Sequence, residues 1–269
     1  MHLATFSSLA AALFLALAPA TAQGRGRGRA EEIQNRVGAF FTDVKGPLPS
    51  GDQAGDLAQT DLVRAATGRG QLAVLYLVDS SDEATVREQF ERTVLGGDEL
   101  GIMLRCFHCG RIDLRTEPLL AAKFQKQAPA FVVFDKTGKA ADVVAMSGYK
   151  ASPKSLEDAL VAAARGVVKP SLTAFAKDYG GFVRDLEQAL GKKQIAKERH
   201  AKAGADKAKK TEAEKDLAAA EKEEQHLLDR ERELLGKLEL PPRSPDARRL
   251  GGRGGAGGNG GAGGRGGGG

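Results

Sequence analysis

Between residues 60 and 166 the apolar positions follow two alternating rhythms. Leu72-Ala-Val-Leu-Tyr-Leu-Val78 is a continuous apolar run of strand length, the pattern of a strand buried on both faces. A short amphipathic helix over 61–67 precedes it, capped by Thr60-Asp61 and ended by Gly68. After it, Val86, Phe90 and Val94 stand at i, i+4 and i+8, which predicts a helix over 82–95. Ile102 to Leu114 reads as a strand, and Glu117 to Gln127 as a helix with Leu120 and Phe124 on one face. Phe131-Val132-Val133-Phe134 is a further strand, Asp135-Lys136-Thr137-Gly138-Lys139 is hairpin-turn chemistry, and Val143 to Met146 is the partner strand. Ser155 to Arg165 closes this part as a helix. The order strand, helix, strand, helix, strand, strand, helix predicts an α/β fold, a mixed β-sheet with helices on both faces.

Residues 171–240 are of another kind, rich in Ala, Glu, Lys and Leu. Ser171 caps a helix with Leu172, Phe175, Phe182, Leu186 and Leu190 on one side, and Gly180-Gly181 is a candidate break. From Asp206 to Leu240 the seam Ala213, Leu217, Ala220, Glu224, Leu227, Glu231, Leu234, Leu238 steps by three and four, a coiled-coil-like heptad with two acidic interruptions. A lone charged helix, a helical hairpin bending near Gly204 and an intermolecular coiled coil all suit this stalk, which Pro241-Pro242 stop. The repeats of Gly-Gly-Arg-Gly-Gly-Ala beyond it bury too little apolar surface to offset ordering, so residues 241–269 read as a disordered Gly/Arg-rich tail. Segment 31–59 gives no single pattern: an apolar patch at Val37, Phe40 and Phe41 precedes Gly46-Pro47-Leu48-Pro49-Ser50-Gly51, which interrupts any helix or central strand.

The beginning of the chain reads as an address. Leu3 to Ala18 is almost wholly apolar or small and closes on Ala20-Thr21-Ala22, which predicts a cleaved secretory signal over 1–22. The apolar run is shorter than the ~20 residues of a membrane span. The expected protein is exported, periplasmic or extracellular, with no transmembrane segment after cleavage and with residues 23–59 as a linker and N-terminal extension. The net charge of +5 is unevenly placed. Residues 23–30 carry three Arg and residues 243–269 carry five against Asp246, so the stretch between is slightly acidic. That argues against a specific nucleic-acid surface, and the tail has no aromatic for base stacking. A spacer role, or weak contact of the Gly/Arg segments with anionic surfaces, is what they suit.

Ile112-Asp113-Leu114-Arg115-Thr116-Glu117-Pro118-Leu119-Leu120-Ala121-Ala122-Lys123-Phe124 is followed by Gln127-Ala128-Pro129-Ala130 running into the strand and glycine hairpin, and then by Gly148. By these pieces, in this order, the chain resembles the thioredoxin-like superfamily over residues ~60–166. The resemblance implies a thioredoxin-like mixed sheet flanked by helices and makes Pro129 the candidate cis-proline beside a bound substrate; an ordinary proline opening an edge strand is the other reading. The family's redox pair follows the first buried strand and opens the next helix. Here Ser80-Ser81-Asp82-Glu83 stands in that place without a thiol, and Val74 stands where many members have a buried carboxylate. Ser80 or Ser81 would accept from the helix amides, with Asp82 and Glu83 at its positive end.

The two cysteines, Cys106 and Cys109, enclose Phe107-His108 in a CxxC that lies about 23 residues before Pro129, on or beside the second strand. At a helix start such a pair would be close and its thiolate stabilised; on an extended strand, residues three apart lie roughly 10 Å apart, beyond the Cα separation a disulfide spans. Four readings stay open: a structural disulfide across a turn at Phe107-His108, buried free thiols, a displaced redox dithiol tuned by His108, and a metal site, for which two thiolates and His108 leave a fourth ligand unassigned. The expected function is an exported thioredoxin-like protein without the standard redox centre, a protein-binding or scaffold module that self-associates through its stalk or binds another protein, and needs no cofactor. The alternative is a thiol–disulfide oxidoreductase using Cys106 and Cys109.

Overall fold

The computed structural model describes residues 29–47, 56–146 and 152–252. The expected signal peptide, the glycine tail beyond residue 252 and Gly148 lie outside the described residues. The elements in chain order are α1 (Glu31–Val37), β1 (Ala39–Asp43), α2 (Asp61–Thr67), β2 (Leu72–Val78), α3 (Ala84–Leu95), α4 (Asp98–Leu104), β3 (Phe107–Asp113), α5 (Pro118–Phe124), β4 (Ala130–Phe134), β5 (Ala140–Ala145), α6 (Pro153–Ala163), α7 (Leu172–Lys202), α8 (Lys207–Leu235) and β6 (Arg248–Leu250). The described strands form one six-stranded mixed sheet in the order β5-β4-β2-β3-β1-β6. Strand β3 is parallel to both β2 and β1; β4 is antiparallel to β2 and β5, and β6 is antiparallel to β1.

Every residue of β2 is buried, because both faces of the sheet are covered. Leu72, Val74, Tyr76 and Val78 join the larger core, built with α1, α3, α4, α6 and α7; Ala73, Leu75 and Leu77 join the smaller one, built with α2 and α5. In the larger core the Tyr76 and Phe131 rings stack at 4.6 Å, with Phe41 edge-on to Tyr76. The hairpin between β4 and β5 turns as its sequence predicts: Gly138 has φ +81°, and Asp135 Oδ1 accepts from the Thr137 and Lys139 amides.

Three of the four departures from the sequence reading share one cause, long-range packing that a local pattern does not reveal; the fourth, at Thr60, is a local hydrogen bond. Ile102-Met103-Leu104 belongs to α4 and not to a strand; β3 begins only at Phe107. This short helix is buried from Leu100 to Leu104, packed among α1, α7 and β1, so it lacks a polar face. Gly101 permits the closest approach, since a Cβ there would stand 1.8 Å from the Val37 carbonyl oxygen. Thr60 does begin α2, but its hydroxyl donates to Leu57 O and does not cap the helix. Segment 31–43, unassigned from sequence, supplies α1 and β1. Part of the segment read as tail is a strand: Arg248–Leu250 pair with Phe41, Phe40 and Ala39 as β6.

The stalk is a helical hairpin, and it does not stand apart. Helix α7 runs unbroken through Gly180-Gly181, and the chain reverses at Gly204, φ +54°. Ion pairs Asp185–Arg230, Lys192–Glu223, Lys193–Glu224 and Arg199–Asp216 fall in antiparallel register around that turn. The seam residues Ala213, Ala220 and Leu227 are buried in the folded chain, so the heptad is used within the molecule. The first half of α7, from Leu172 to Leu186, sits in the sheet's larger core. We therefore expect the full chain to sediment as a monomer at micromolar concentration; a dimer mass by analytical ultracentrifugation would restore the coiled coil. Among the described residues no helix is long and apolar enough to cross a membrane.

Candidate functional site

The two ends of the central strands carry the residues that the sequence marks for chemistry. At the C-terminal end, β2 leads into Asp79-Ser80-Ser81-Asp82-Glu83 and then α3, while β3 leads through Asp113 into α5. Asp79 Oδ1 accepts from Ser81 N at 2.9 Å and from Ser81 Oγ at 2.6 Å. Asp113 Oδ1 accepts from Ser80 N and Arg115 N, both at 3.1 Å, and so ties the two loops together. Gln125, at the end of α5, donates to Asp79 Oδ2 at 3.5 Å. The serines thus donate to carboxylates and do not accept from α3, whose N-cap is Glu83 with no side-chain cap. Hydrogen bonds from Ser81 hold the Asp79 carboxyl below the ordinary range. Burial pushes Asp113 up, but the bonds from Ser80 and Arg115 outweigh it and its carboxyl also lies low. Both are anions at neutral pH, on a rim without a nucleophilic thiol.

Pro129 belongs to this end. Ala130 pairs with Leu77, so the next step of the ladder sets Pro129 beside Val78, two residues before Ser80, and the Ala128–Pro129 peptide is cis. Two large apolar side chains are exposed in the first turns of the flanking helices, Val86 on α3 and Leu119 on α5. Both helices start at this end of the sheet. Their exposure was not legible from periodicity, which marks Val86 as a core position.

Cys106 and Cys109 lie at the opposite end. Cys106 follows α4, Cys109 pairs with Val74 in β3, and both are free thiols. With Phe107 opposite Leu72 and Cys109 opposite Val74, about 20 Å of strand separates Phe107, next to Cys106, from the level of Pro129, and about 13 Å separates Cys109 from it. Cys106 is buried; Cys109, partly buried, donates to Leu104 O and Phe107 O at 3.4 Å. Burial pushes each thiol up to about 12, against which the charges of Arg105 and Arg243 have little effect. His108 does not touch them in any described hydrogen bond: its Nε2 is 2.5 Å from Gln71 Oε1, and burial, then Arg69, keeps the ring neutral. At pH 8 a thiol with a pKa near 12 is thiolate in about one molecule in ten thousand. Iodoacetamide should therefore alkylate both cysteines roughly a thousandfold more slowly in the folded chain than in urea; comparable rates, measured by mass spectrometry, would contradict the burial. Among the described residues no group of three His, Cys, Asp or Glu is arranged to hold a metal ion.

Against this end of β3 lies a cavity of about 580 Å³, roofed by the segment between α8 and β6. Its polar lining includes Asp61, Arg69, Arg105, His108 and Arg243. Sequence reading missed it because three of its walls are far apart in the chain and the fourth belongs to the supposed tail. No family model, curated protein or solved structure matches this chain.

Proposed function

We propose that this chain is an exported thioredoxin-like protein that has no redox centre in the family's usual place and acts by binding another protein. The observation that carries the reading is Ser80-Ser81-Asp82-Glu83 at the entry to α3, without a thiol, at the same end of the sheet as a cis Pro129. Three further features support it. The elements from β2 to α6 run in the order that the resemblance implies, with α4 as an addition between α3 and β3. Val86 and Leu119 are exposed in the first turns of α3 and α5, which start at this end of the sheet, where an apolar partner surface would meet them. The hairpin seam is occupied by the chain itself, so binding through this loop end is favoured over self-association through the helices.

The rival reading, a displaced redox dithiol, has thiols of high pKa, one buried and one partly buried, and about 13 Å of strand between the nearer one, Cys109, and Pro129. One experiment separates the two. Insulin reduction driven by dithiothreitol should proceed at the uncatalysed rate with the wild type and with Cys106→Ser alike; turnover above background that vanishes in Cys106→Ser would overturn the proposal. For the binding half, a photo-crosslinking amino acid at Val86 should yield defined adducts in the cell envelope, while the same label at exposed Lys154 should not. Adducts of equal yield from both positions, or from neither, would count against the loop end as the binding face.

A further inference from the structure

The cavity beside β3 has a composition that no part of the fold requires. Three guanidinium groups, Arg69, Arg105 and Arg243, line it against one carboxylate, Asp61. None of the three is ion-paired with a described carboxylate within 4.0 Å. The partners they do have are neutral. Arg105 lies 3.5 Å from the Tyr179 hydroxyl and over its ring; Arg243 donates to Asn35 O and lies 4.2 Å from the centre of the Phe40 ring. Glu231, whose charge Arg105 also feels, is taken up by Arg36 and Tyr179.

Like charges set side by side without a counterion are unfavourable, and the repulsion is larger where water is partly excluded. Desolvation of its guanidinium head, and then the Arg105 charge, pull Arg243 down to about 10. Elsewhere in this chain Arg36 is matched by Glu231, Arg29 by Asp98 and Glu187, and Arg111 by Asp43, whereas Arg87 Nη1 and Arg249 Nε are buried without a hydrogen-bond partner. Three arginines without a described carboxylate partner meet at the cavity. Its remaining walls are largely apolar, among them Phe40, Leu62, Leu104, Pro241, Pro242 and Pro245. A volume of about 580 Å³ is in the range of sites that take small organic molecules.

From this juxtaposition we propose that the cavity is a binding site for a small amphipathic organic anion, its acidic head held by Arg105 and Arg243 and its apolar body lodged against Phe40, Leu62 and the prolines of the roof. Arg69 adds long-range attraction at the rim. Guanidinium groups suit such a head because each presents a fork of donors to two oxygens. The site is remote from Pro129 and the Asp79–Glu83 loop, so it is independent of the reading proposed above for that end.

Calorimetric titration of the full chain with octanoate tests it, with 1-octanol and inorganic phosphate as the body-only and head-only probes. Octanoate should bind at low salt with a Kd on the order of 0.1 mM, and each of the other probes at least about tenfold more weakly. Arg243→Gln should weaken octanoate about tenfold, as should Arg105→Gln, and Arg69→Gln, on an exposed side chain, about threefold. If Arg105→Gln lowers the melting temperature, the other two variants carry the test. No heat with octanoate at 1 mM, octanol binding as tightly as octanoate, phosphate binding as tightly, or wild-type affinity in both Arg243→Gln and Arg69→Gln would each overturn the proposal.

Discussion

A chain cut after Pro170 is expected not to fold cooperatively. The sequence alone makes residue 170 an inviting boundary, since the βα pattern ends near 166 and an Ala/Glu/Lys-rich helical segment begins at 171. The packing says otherwise. Leu172, Phe175, Tyr179, Phe182 and Leu186 are each at most 5% exposed and lie in one cluster with Phe107, Phe131 and Val133 of the sheet. At ~1.5–3 kcal/mol for each large side chain buried, their removal withdraws roughly 10 kcal/mol, which is comparable with the whole stability of a typical domain. The cut also deletes β6 and leaves β1, Ala39–Asp43, as an unprotected edge. Urea titration followed by circular dichroism at 222 nm should give a sigmoidal transition for the full chain and a sloping line for residues 23–170. A cooperative transition in the cut chain with a midpoint near that of the full chain would mean that the helical hairpin is an appendage after all.

How much of this was legible in the sequence follows from the range of the interactions involved. Helix α2 and strand β2 lie over 61–67 and 72–78 as read, because each is decided by local signals: Gly68 beyond one and an unbroken apolar run in the other. The Asp135–Lys139 hairpin is also local chemistry. Elements whose identity depends on a distant partner were missed or misassigned. Arg248–Leu250 is a strand because Ala39–Phe41 offers it a ladder some two hundred residues earlier in the chain. Ile102–Leu104 is helical inside a pocket made by α1 and α7, and an apolar run with no polar face carries no period to read. The candidate site divides in the same way. That Pro129 and the Ser80–Glu83 loop share one end of the sheet could be read from the order of the strands, whereas the arginine-lined cavity draws on residues from Gly38 to Ala247 and has no sequence signature.

Substituting Glu231 with alanine is expected to be the most damaging single change in the helical hairpin, at about 2–3 kcal/mol, because it strands a half-buried cation. From sequence Glu231 is a flaw in the heptad seam. In the fold its carboxylate, with the side chain 12% exposed, accepts from Arg36 Nη2 at 2.7 Å and Nε at 3.0 Å and from the Tyr179 hydroxyl at 2.5 Å, so that α8 is bound to α1 and α7. Arg36, 16% exposed, would keep only Glu32, one turn earlier and itself 41% exposed. Burial pushes the Glu231 carboxyl up, but the hydrogen bonds from Arg36 and Tyr179 and the neighbouring charge outweigh it and hold it below the ordinary glutamate value of 4.5. A carboxylate whose pKa is lower folded than unfolded adds stability that is fully present above about pH 4.5 and lost as the pH falls through the folded value. Wild-type stability, measured by urea denaturation, should therefore decline on acidification below pH 4.5, and Glu231→Gln, which keeps the shape without the charge, should remove part of that decline while being less stable at pH 7. Equal slopes in the two proteins would show that the Arg36 pair carries no pH-linked stability. The double substitution Arg36→Met with Glu231→Leu removes both ions of the pair and should recover part of the loss seen in Glu231→Ala, although exposed Glu32 then loses its cation and the Tyr179 hydroxyl its acceptor. A double variant as unstable as the single one would place the cost in packing and not in the stranded charge.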